Sequence, residues 1–352
     1  MTDVQENPLG IDGFEFVEFA APDSALLHSL FRRMGFTAVA RHRERKVTLY
    51  RQGDVNFLVN EEPDSFAADF AREHGPSACG FAIRVADAAR ARASAIDRGA
   101  RALSNKAGTL PVRTPVIEGI GGSALYLVDR YGKRGSVYNG DFEFFNGADR
   151  HPAGFGLTFI DHLTHNVYQG NMDKWANFYE RIFNFREIRY FDIKGSQTGL
   201  VSRAMTAPDG MVRIPINEAT DEKSQIAEYL QEYNGEGIQH IALFTDDIYA
   251  SVEALRADGI EFLEVPDTYY EMVDDRVPDH GEDLARMAED RILIDADRET
   301  GKRLLLQIFT QTCIGPIFFE IIQRKGNEGF GEGNFQALFE SIERDQMRRG
   351  VI

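Results

Sequence analysis

The sequence is poor in cysteine, in long apolar runs and in positive charge. Its two cysteines, Cys79 and Cys313, indicate no disulfide framework and fit a reduced cytoplasmic compartment. No apolar run approaches the roughly 20 residues that span a bilayer. The acidic start MTDVQENPLG also lacks the basic and apolar regions of a secretory signal. We therefore expect a soluble cytoplasmic protein with no membrane partner.

Positive charge is scarce, with 39 lysines and arginines against 56 aspartates and glutamates and a formal net charge of −17. A strongly negative surface repels nucleic acid and anionic membranes, so neither is an expected partner. A small anionic substrate remains compatible with this charge, because a bound metal ion can make one site locally positive. The 352 residues suffice for two domains, each with its own core.

The second half of the chain repeats the first. The segment GFAIRVADAARARASAIDRGA (80–100) aligns with HIALFTDDIYASVEALRADGI (240–260), and each reads as a strand, an aspartate and an amphipathic helix that ends at glycine. Further on, LYLVDRYG (125–132) aligns with FEIIQRKG (319–326). His240 thus stands opposite Gly80, and Glu320 stands opposite Tyr126. This pattern predicts a duplicated scaffold with one surviving metal site.

The pattern of strands and helices predicts an α+β fold of four βαβββ modules, paired into two half-barrel domains. The expected domains are residues 1–150, without a metal site, and residues 151–352, with the catalytic site. The Gly- and Pro-rich segment 146–156 would link them. We expect residues 266–290, an insertion in the fourth module, to form a loop over a site. An amphipathic helix over 336–348 lies outside the repeat and is expected to act as a lid.

Three residues are candidate metal ligands: His162, His240 and Glu320. They are separated by 78 and 80 residues, so no short motif contains them. His162 and His240 lie on the first strands of modules three and four, and Glu320 lies on the last strand of module four. If these strands line one cavity, two imidazoles and one carboxylate form the facial triad that is typical of non-haem Fe(II) oxygenases.

Simpler interpretations stay open for each ligand. A histidine on a strand is often a satisfied core or surface residue, and Glu320 could pair with Arg324 instead of a metal. His165 follows His162 by three residues, so the two side chains should face opposite sides of a strand of period two. We favour His162 as the ligand, although periodicity alone does not decide between them.

Several segments resemble the bacterial 4-hydroxyphenylpyruvate dioxygenase family, which belongs to the vicinal oxygen chelate superfamily. The resemblance covers nearly the whole chain, and its C-terminal motifs are highly specific. The segments that carry it are DHLTHNV, KWANFYERIFNFREIRYFDIKG, GIQHIALFTDDI, PDTYYEM, RLLLQIFTQT, GPIFFEIIQRKG and GFGEGNFQALFESIERDQ.

The resemblance implies one Fe(II) per subunit, bound by His162, His240 and Glu320. It also implies polar residues that act on or bind the substrate, namely Ser202, Asn217, Gln225, Gln239, Gln307 and Asn334. The aromatic walls it implies are Phe309, Phe318, Phe330 and Phe335. Without the resemblance, Phe309 and Phe318 would be ordinary core residues. Gln239 and Gln307 would then be solvent-facing, and Asn217 a turn residue. These interpretations stay open.

The implied reaction converts 4-hydroxyphenylpyruvate and O2 into homogentisate and CO2 in tyrosine and phenylalanine degradation. The α-keto acid group of the substrate would bind iron, so no separate 2-oxoglutarate is required. Bacterial relatives imply a homotetramer. The nearest alternative is 4-hydroxymandelate synthase, which tends to carry a smaller aliphatic residue at the position of Phe309. An extradiol ring-cleavage dioxygenase and a non-catalytic ligand-binding protein of the superfamily are more distant alternatives.

Overall fold

The computed structural model describes residues 6–103, 106–194, 199–220, 224–297, 300–334, 336–338 and 348. Within this part of the chain, sixteen β-strands form two mixed sheets of eight strands each, and nine α-helices accompany them. None of the helices in the described ranges has the length and apolar character required to cross a bilayer. The predicted lid helix, residues 336–348, lies largely outside the described residues.

The first sheet contains the strands before residue 145, and the second contains those after residue 156. The strands of the first sheet are β1 (Phe14–Ala20), β2 (Thr37–His42), β3 (Val47–Gln52), β4 (Val55–Asn60), β5 (Ser77–Arg84), β6 (Val116–Glu118), β7 (Ala124–Val128) and β8 (Phe142–Phe144). Those of the second are β9 (Leu157–Val167), β10 (Arg186–Lys194), β11 (Gly199–Thr206), β12 (Arg213–Ala219), β13 (Gly237–Thr245), β14 (Leu293–Ala296), β15 (Leu304–Phe309) and β16 (Phe318–Lys325). The predicted domain boundary at residue 150 thus falls between β8 and β9.

The helices are α1 (Ala25–Arg33), α2 (Phe66–His74), α3 (Ala88–Asp97), α4 (Met172–Phe183), α5 (Gln225–Glu232), α6 (Ile248–Ala257), α7 (Asp267–Tyr270), α8 (Val273–Arg276) and α9 (Leu284–Glu289). Six of the helices follow the first strand of a module or connect two modules, and α7, α8 and α9 lie within the fourth module. The predicted helices of the first and third modules match α1 and α4. Helices α2 and α5, which connect successive modules, were not predicted.

The sequence repeat corresponds to identical local structure at the helix that follows β5 or β13. The carboxylates of Asp87 and Asp247 accept hydrogen bonds from the backbone N–H groups of Arg90 and Ala250, so both residues cap their helices. Gly99 and Gly259 have φ of 89° and 80°, a conformation that favours glycine at a helix end. The alignment of the two halves is therefore confirmed in three dimensions.

The second sheet has the predicted arrangement of two complete modules. Its strand order is β10-β11-β12-β9-β13-β16-β15-β14. In each module the first strand pairs in parallel with the last strand, and the remaining two strands extend outward in antiparallel pairs. The antiparallel pair of β9 and β13 joins the modules at the centre. The first strands of both modules are thus neighbours.

The first sheet departs from the predicted pattern in its second module. Its strand order is β6-β7-β5-β1-β4-β3-β2-β8, so only two strands, β7 and β6, extend outward from β5. The predicted strand at 102–103 is irregular chain, and β8 pairs with β2 at the opposite edge. The prediction of a third ladder strand in this module was wrong, because the chain crosses over to the first module instead.

The insertion at 266–290 is not the open loop we expected. It folds into the short helices α7, α8 and α9, and its Tyr269, Val273 and Met287 are fully buried. The Tyr269 hydroxyl donates a hydrogen bond of 2.6 Å to Asn334 Oδ1. The hydrophobic residues within this acidic segment therefore pack as core, and part of the insertion supports the chain near residue 334.

The two sheets contact each other through aromatic side chains. The rings of Phe57 and Phe319 lie 5.9 Å apart between centroids, and those of Phe81 and His165 lie 6.0 Å apart. At a third contact the ring of His74 stacks on Tyr233. Aromatic contacts of this kind bury large apolar areas.

A hydrogen-bonded cluster around Glu18 occupies the first-half position that corresponds to the candidate metal site. The Tyr126 hydroxyl donates to the Glu18 carboxyl at 2.5 Å, and Asn60 Nδ2 donates to it at 2.7 Å. A side chain at Gly80 would approach within 3.0 Å of the Tyr126 ring. Burial raises the pKa of Glu18, and the two donated hydrogen bonds offset this only in part.

Glu18→Gln should stabilise the protein at alkaline pH. Because the pKa of Glu18 is raised in the folded protein, protonation of this carboxyl stabilises the fold. This stabilisation is fully present below about pH 4.5 and is lost as the pH rises through the folded pKa. Glutamine mimics the protonated acid, because its amide can donate to Tyr126 and accept from Asn60. We expect Tm about 2–4 °C above wild type at pH 8.5, the shift that about 1 kcal/mol produces.

The Tm difference between Glu18→Gln and the wild type should decrease as the pH falls towards 5. Thermal unfolding followed by circular dichroism at several pH values measures this difference. Glu18→Ala is the comparison, because it leaves both donors without an acceptor and should lower Tm at every pH. A Tm difference between wild type and Glu18→Gln that does not change with pH would contradict the expectation.

Candidate metal centre

The three candidate ligands lie on three adjacent strands at the centre of the second sheet. In the strand register, His162 of β9 is opposite Ala242 of β13, and Ala242 is opposite Glu320 of β16. His240 precedes Ala242 by two residues and shares its face of β13. The small Ala242 side chain separates His162 and Glu320 in this row, so both can reach the same point above the sheet.

The ligand atoms form a compact triangle. Glu320 Oε2 lies 3.1 Å from His162 Nε2 and 3.4 Å from His240 Nε2, and the two Nε2 atoms are 3.3 Å apart. Ligand atoms bonded to one ion at about 2.1 Å are separated by about 3.0–3.4 Å, from right-angled to tetrahedral geometry. The spacing and the donor types therefore fit a single divalent metal ion.

The electrostatics of the triangle favour a carboxylate between two imidazoles. Burial opposes ionisation of Glu320, but the two neighbouring histidines outweigh it and lower the pKa of the carboxyl to about 2. Burial lowers the pKa of His162 and the nearby carboxylates raise it, with a net increase. For His240, burial prevails and the pKa is lowered. Glu320 is therefore ionised at neutral pH and can serve as a metal ligand.

The other nitrogen of each imidazole is held by a hydrogen-bond acceptor. His162 Nδ1 lies 2.8 Å from Asp161 Oδ1, and His240 Nδ1 lies 3.0 Å from Gln239 Oε1. Since a carboxylate and an amide oxygen only accept, both Nδ1 atoms carry the proton. In the neutral form that binds a metal, each imidazole then presents its Nε2 lone pair to the centre of the triangle. Such orientation by an outer acceptor is the usual arrangement for metal-binding histidines.

His165 and Arg324 settle two alternatives that the sequence left open. His165 lies on the opposite side of β9, where its Nε2 is 2.7 Å from the Tyr179 hydroxyl, and burial lowers its pKa to about 3. The expectation that His162 and His165 face opposite sides is confirmed. Arg324 donates to Asp161 at 2.7 and 2.8 Å, while Glu320 contacts the two histidines. Glu320 is thus available as a ligand and is not the partner of Arg324.

The triangle lies at the wall of a cavity of about 480 Å³. Seven of the predicted substrate residues line this cavity, four of them polar and three aromatic: Ser202, Asn217, Gln225, Gln239, Phe309, Phe318 and Phe330. A bulge in the pairing of β13 with β9, between Ile238 and His240, lets the consecutive residues Gln239 and His240 both reach the cavity.

Two predicted residues lie outside the cavity lining, and one lies outside the described residues. Gln307 is buried two residues before Phe309, close against Gly331, where any Cβ would lie within 2.0 Å of its Oε1 atom. Asn334 is buried and accepts a hydrogen bond from Tyr269. Neither side chain is among the residues that line the cavity. Phe335 is not among the described residues.

Several other residues that line the cavity were not predicted from the sequence. Thr164 Oγ1 lies 2.9 Å from His240 Nε2, and the alternation of β9 after His162 could have identified it. Arg291 and Glu264 belong to segments next to the insertion, whose path the sequence pattern does not define. The remaining lining residues that were not predicted are Phe191, Leu200, Pro215, Ser224, Ile226, Leu263, Val265, Leu293, Ile308, Glu332 and Leu338.

Comparison with known proteins gives consistent relatives over the whole chain. The family model for the N-terminal part of hydroxyphenylpyruvate dioxygenase matches residues 5–143. The model for the glyoxalase, bleomycin resistance protein and dioxygenase superfamily matches residues 159–274. The 4-hydroxyphenylpyruvate dioxygenase of Pseudomonas aeruginosa is 60% identical, over 99% of this chain and 98% of that protein. The chain belongs to the 4-hydroxyphenylpyruvate dioxygenase family.

Two further proteins extend the comparison. A protein of Vibrio vulnificus named hemolysin VllY is 61% identical, over 98% of both chains. The structure of a triple mutant of 4-hydroxymandelate synthase from Streptomyces coelicolor aligns with a TM-score of 0.80 and 26% identity, over 97% of this chain and all of that chain. The predicted fold class, glyoxalase-like modules in two curled half-barrel sheets, is confirmed for this member of the 4-hydroxyphenylpyruvate dioxygenase family.

Replacing any one of the three candidate ligands should abolish stoichiometric metal binding. We expect His162→Ala, His240→Ala and Glu320→Ala each to weaken Co(II) binding by more than about 100-fold, beyond the loss typical of outer-shell changes. Anaerobic isothermal titration calorimetry of the full chain measures the affinity. The exposed His151 supplies the matched control, because His151→Ala removes an imidazole that does not line the cavity. Wild-type affinity in any of the three ligand variants would contradict this ligand set.

Proposed function

We propose that this chain is an Fe(II)-dependent 4-hydroxyphenylpyruvate dioxygenase that converts 4-hydroxyphenylpyruvate and O2 into homogentisate and CO2. The observation that carries the proposal is the convergence of His162, His240 and Glu320 at a cavity with aromatic walls, in a chain of this family. Two imidazoles and one carboxylate are the ligand set of non-haem Fe(II) oxygenases, and they leave positions open for substrate and oxygen.

The proposed ligands would hold one Fe(II) through the Nε2 atoms of His162 and His240 and the carboxylate of Glu320. The bound ion supplies a positive charge that attracts the α-keto acid and one-electron chemistry that activates O2. Glu320 neutralises one of the two charges of Fe(II), so the site keeps a positive charge. This explains how a protein with a net charge of −17 can bind an anionic substrate.

Three phenylalanine rings next to the ligands suit the aromatic ring of the substrate. Phe318 stacks on His240 with centroids 4.8 Å apart, and Phe309 meets Phe318 edge-on at 6.0 Å. Phe330 meets the His162 ring edge-on at 5.3 Å. Each aromatic contact contributes about 0.5–1.5 kcal/mol beyond burial. These walls therefore favour a flat aromatic substrate, and they exclude water from the ligands.

The polar lining residues suit the phenol group of the substrate. Ser202 and Asn217 are directly opposite each other on β11 and β12, and Asn217 Nδ2 lies 3.5 Å from Gln239 Oε1. Gln225 begins helix α5 at the same cavity. Amide and hydroxyl groups both donate and accept hydrogen bonds, so they can hold a phenol O–H and fix the direction of the ring. A misplacement of the ring of about 1 Å is expected to cost on the order of a hundredfold in rate.

We extend the proposal to the C-terminal segment, the oligomeric state and the cellular setting of the enzyme. The helix over 336–348 would close over bound substrate and exclude water. Gln307, Asn334 and Phe335 would contribute to the site once this segment closes. We also propose that the enzyme is a cytoplasmic homotetramer that acts in tyrosine and phenylalanine degradation, with no nucleic-acid or membrane partner.

A second candidate activity is 4-hydroxymandelate synthesis, because a 4-hydroxymandelate synthase shares this fold at a TM-score of 0.80. That activity would oxidise the benzylic carbon of the same substrate instead of the ring. The bulky Phe309 at the cavity wall favours ring oxidation, since the family resemblance associates a smaller aliphatic residue at this position with 4-hydroxymandelate synthases.

Product analysis distinguishes the two activities. Purified protein is reconstituted with Fe(II) without oxygen, and 4-hydroxyphenylpyruvate and then O2 are added. Chromatography should show homogentisate as the main product, with CO2 released in equal amount. The His240→Ala variant is the matched control and should form no product.

The other results of this experiment would each change the proposal. 4-Hydroxymandelate as the main product would keep the metal site and overturn the proposed role of Phe309. Bound iron without O2 consumption would show that 4-hydroxyphenylpyruvate is not the substrate.

A further inference from the structure

Asp161 is a buried carboxylate whose acceptor positions are all used. Its Oδ1 atom accepts from His162 Nδ1 at 2.8 Å and from Arg324 Nη2 at 2.8 Å. Its Oδ2 atom accepts from Arg324 Nε at 2.7 Å and from Arg213 Nη1 at 3.3 Å. The side chain is fully buried, so these contacts fix its position. The ring of the proposed metal ligand His162 is thus held by an aspartate that two arginines hold in turn.

Both arginines also bind the segment of residues 327–334, which we name the C-terminal turn. Arg324 Nη1 donates to the backbone carbonyls of Asn327 and Gly329 at 3.0 and 2.6 Å. Arg213 Nη2 donates to the Glu328 carboxylate at 2.6 Å. A guanidinium group holds five N–H donors in a fixed plane, whereas an ammonium group has three donors around a single atom. Each arginine therefore connects Asp161 to the C-terminal turn.

Phe330 closes a ring of contacts between the C-terminal turn and the metal centre. The Arg324 guanidinium lies 5.7 Å from the centroid of the Phe330 ring, and the Phe330 ring meets the His162 ring at 5.3 Å. His162 thus contacts the turn directly through Phe330 and indirectly through Asp161 and Arg324. A change in the position of the turn therefore alters both supports of the His162 ring.

The first half of the chain offers an internal comparison for this arrangement. Arg130 occupies the repeat position of Arg324, but it is partly exposed and donates at 3.3 Å to the Arg113 backbone carbonyl. Phe16 is opposite Ala82 in the first sheet as His162 is opposite Ala242 in the second, so the preceding residues Glu15 and Asp161 occupy equivalent positions. Glu15 pairs with Arg84 instead. The repeated arginine thus binds the repeated acid only in the half that contains the ligand triangle. The Asp161–Arg324 pair is therefore associated with the candidate metal centre and not with the fold that both halves share.

We propose that Asp161, Arg324 and Arg213 are positioning residues that couple the orientation of His162 to the seating of the C-terminal turn. Metal binding and seating of the C-terminal turn then favour each other, because both require the same arrangement of Asp161 and Arg324. The proposal rests on the proposed metal site, but it makes no use of the substrate or of the reaction.

The coupling is measured on the full chain with Co(II) alone, which separates it from turnover. We expect Co(II) to slow proteolytic cleavage within residues 327–334 of the wild type by at least about fivefold, the lower range of coupling between sites. In Arg324→Gln, Co(II) should leave this cleavage rate unchanged. Its Co(II) affinity should fall by about 10–100-fold, and the visible absorption spectrum of bound Co(II) should shift.

Three further variants test the role of the Asp161–Arg324 pair. Arg130→Gln is the matched control and should keep wild-type Co(II) affinity, spectrum and protection. Asp161→Asn should weaken Co(II) binding while the Arg324 bonds to the turn remain. Arg324→Lys should recover only part of the affinity, since lysine restores the charge without the two-pronged contact to Asp161.

Thermal unfolding is recorded for every variant, and Arg324→Lys and Asp161→Asn carry the test if Arg324→Gln fails to fold. Wild-type Co(II) affinity and protection in the folded Arg324 variants would overturn the coupling. So would equal losses in Arg324→Gln and Arg130→Gln, which would indicate general destabilisation. Absence of Co(II) binding by the wild type would instead overturn the metal site on which the proposed function depends.

Discussion

The buried carboxylate of Glu320 is the constraint on which the second half of the chain depends. An isolated charge away from water is costly, and Glu320 has only two imidazoles as partners among the described residues. A divalent cation bound by all three groups would compensate the buried negative charge of Glu320. The strand order makes the cation site possible, because Ala242 is the one small residue between His162 and Glu320 in the row across β9, β13 and β16. The outer residues Asp161 and Gln239 then set the direction of both imidazoles.

The two halves of the chain fill the same position of a duplicated fold with different chemistry. In the first half, Tyr126 and Gly80 replace Glu320 and His240, and Tyr126 and Asn60 hold the Glu18 carboxyl by donated hydrogen bonds. In the second half, the corresponding strands present ligand atoms to an open cavity of about 480 Å³. A closed cluster of hydrogen bonds needs no metal and gives a rigid core, whereas the open triangle keeps room for a ligand. Duplication thus separates a stabilising half from a half that carries the site.

Where the repeat itself carried the information, the sequence predicted the modules of the second sheet and singled out two of the three candidate ligands. Gly80 and Tyr126 made His240 and Glu320 conspicuous, and the aspartate caps and glycine ends of α3 and α6 are short-range signals that the structure reproduces. Period-two alternation separated His162 from His165, but only the register of β9 against β13 and β16 shows which of them faces Glu320.

Other features depend on contacts that a single sequence does not encode locally. The pairing of Arg324 with Asp161 joins residues 163 positions apart and requires the register of three strands. The bulge next to Gln239 and the crossing of β8 to the first module likewise follow from tertiary packing. The acidic composition of residues 266–290 concealed the apolar residues that fold this insertion into helices. For such a segment, composition indicates the character of the surface better than it predicts the backbone conformation.

We propose that this chain keeps one metal site, in its second half, with His162, His240 and Glu320 as the protein ligands. Crystals of the full protein loaded with Fe(II) without oxygen, measured on both sides of the iron absorption edge, test it directly. We expect one anomalous peak per subunit, within bonding distance of His162 Nε2, His240 Nε2 and the Glu320 carboxylate. A peak on other side chains, or a second peak near Glu18 and Tyr126 in the first half, would contradict it.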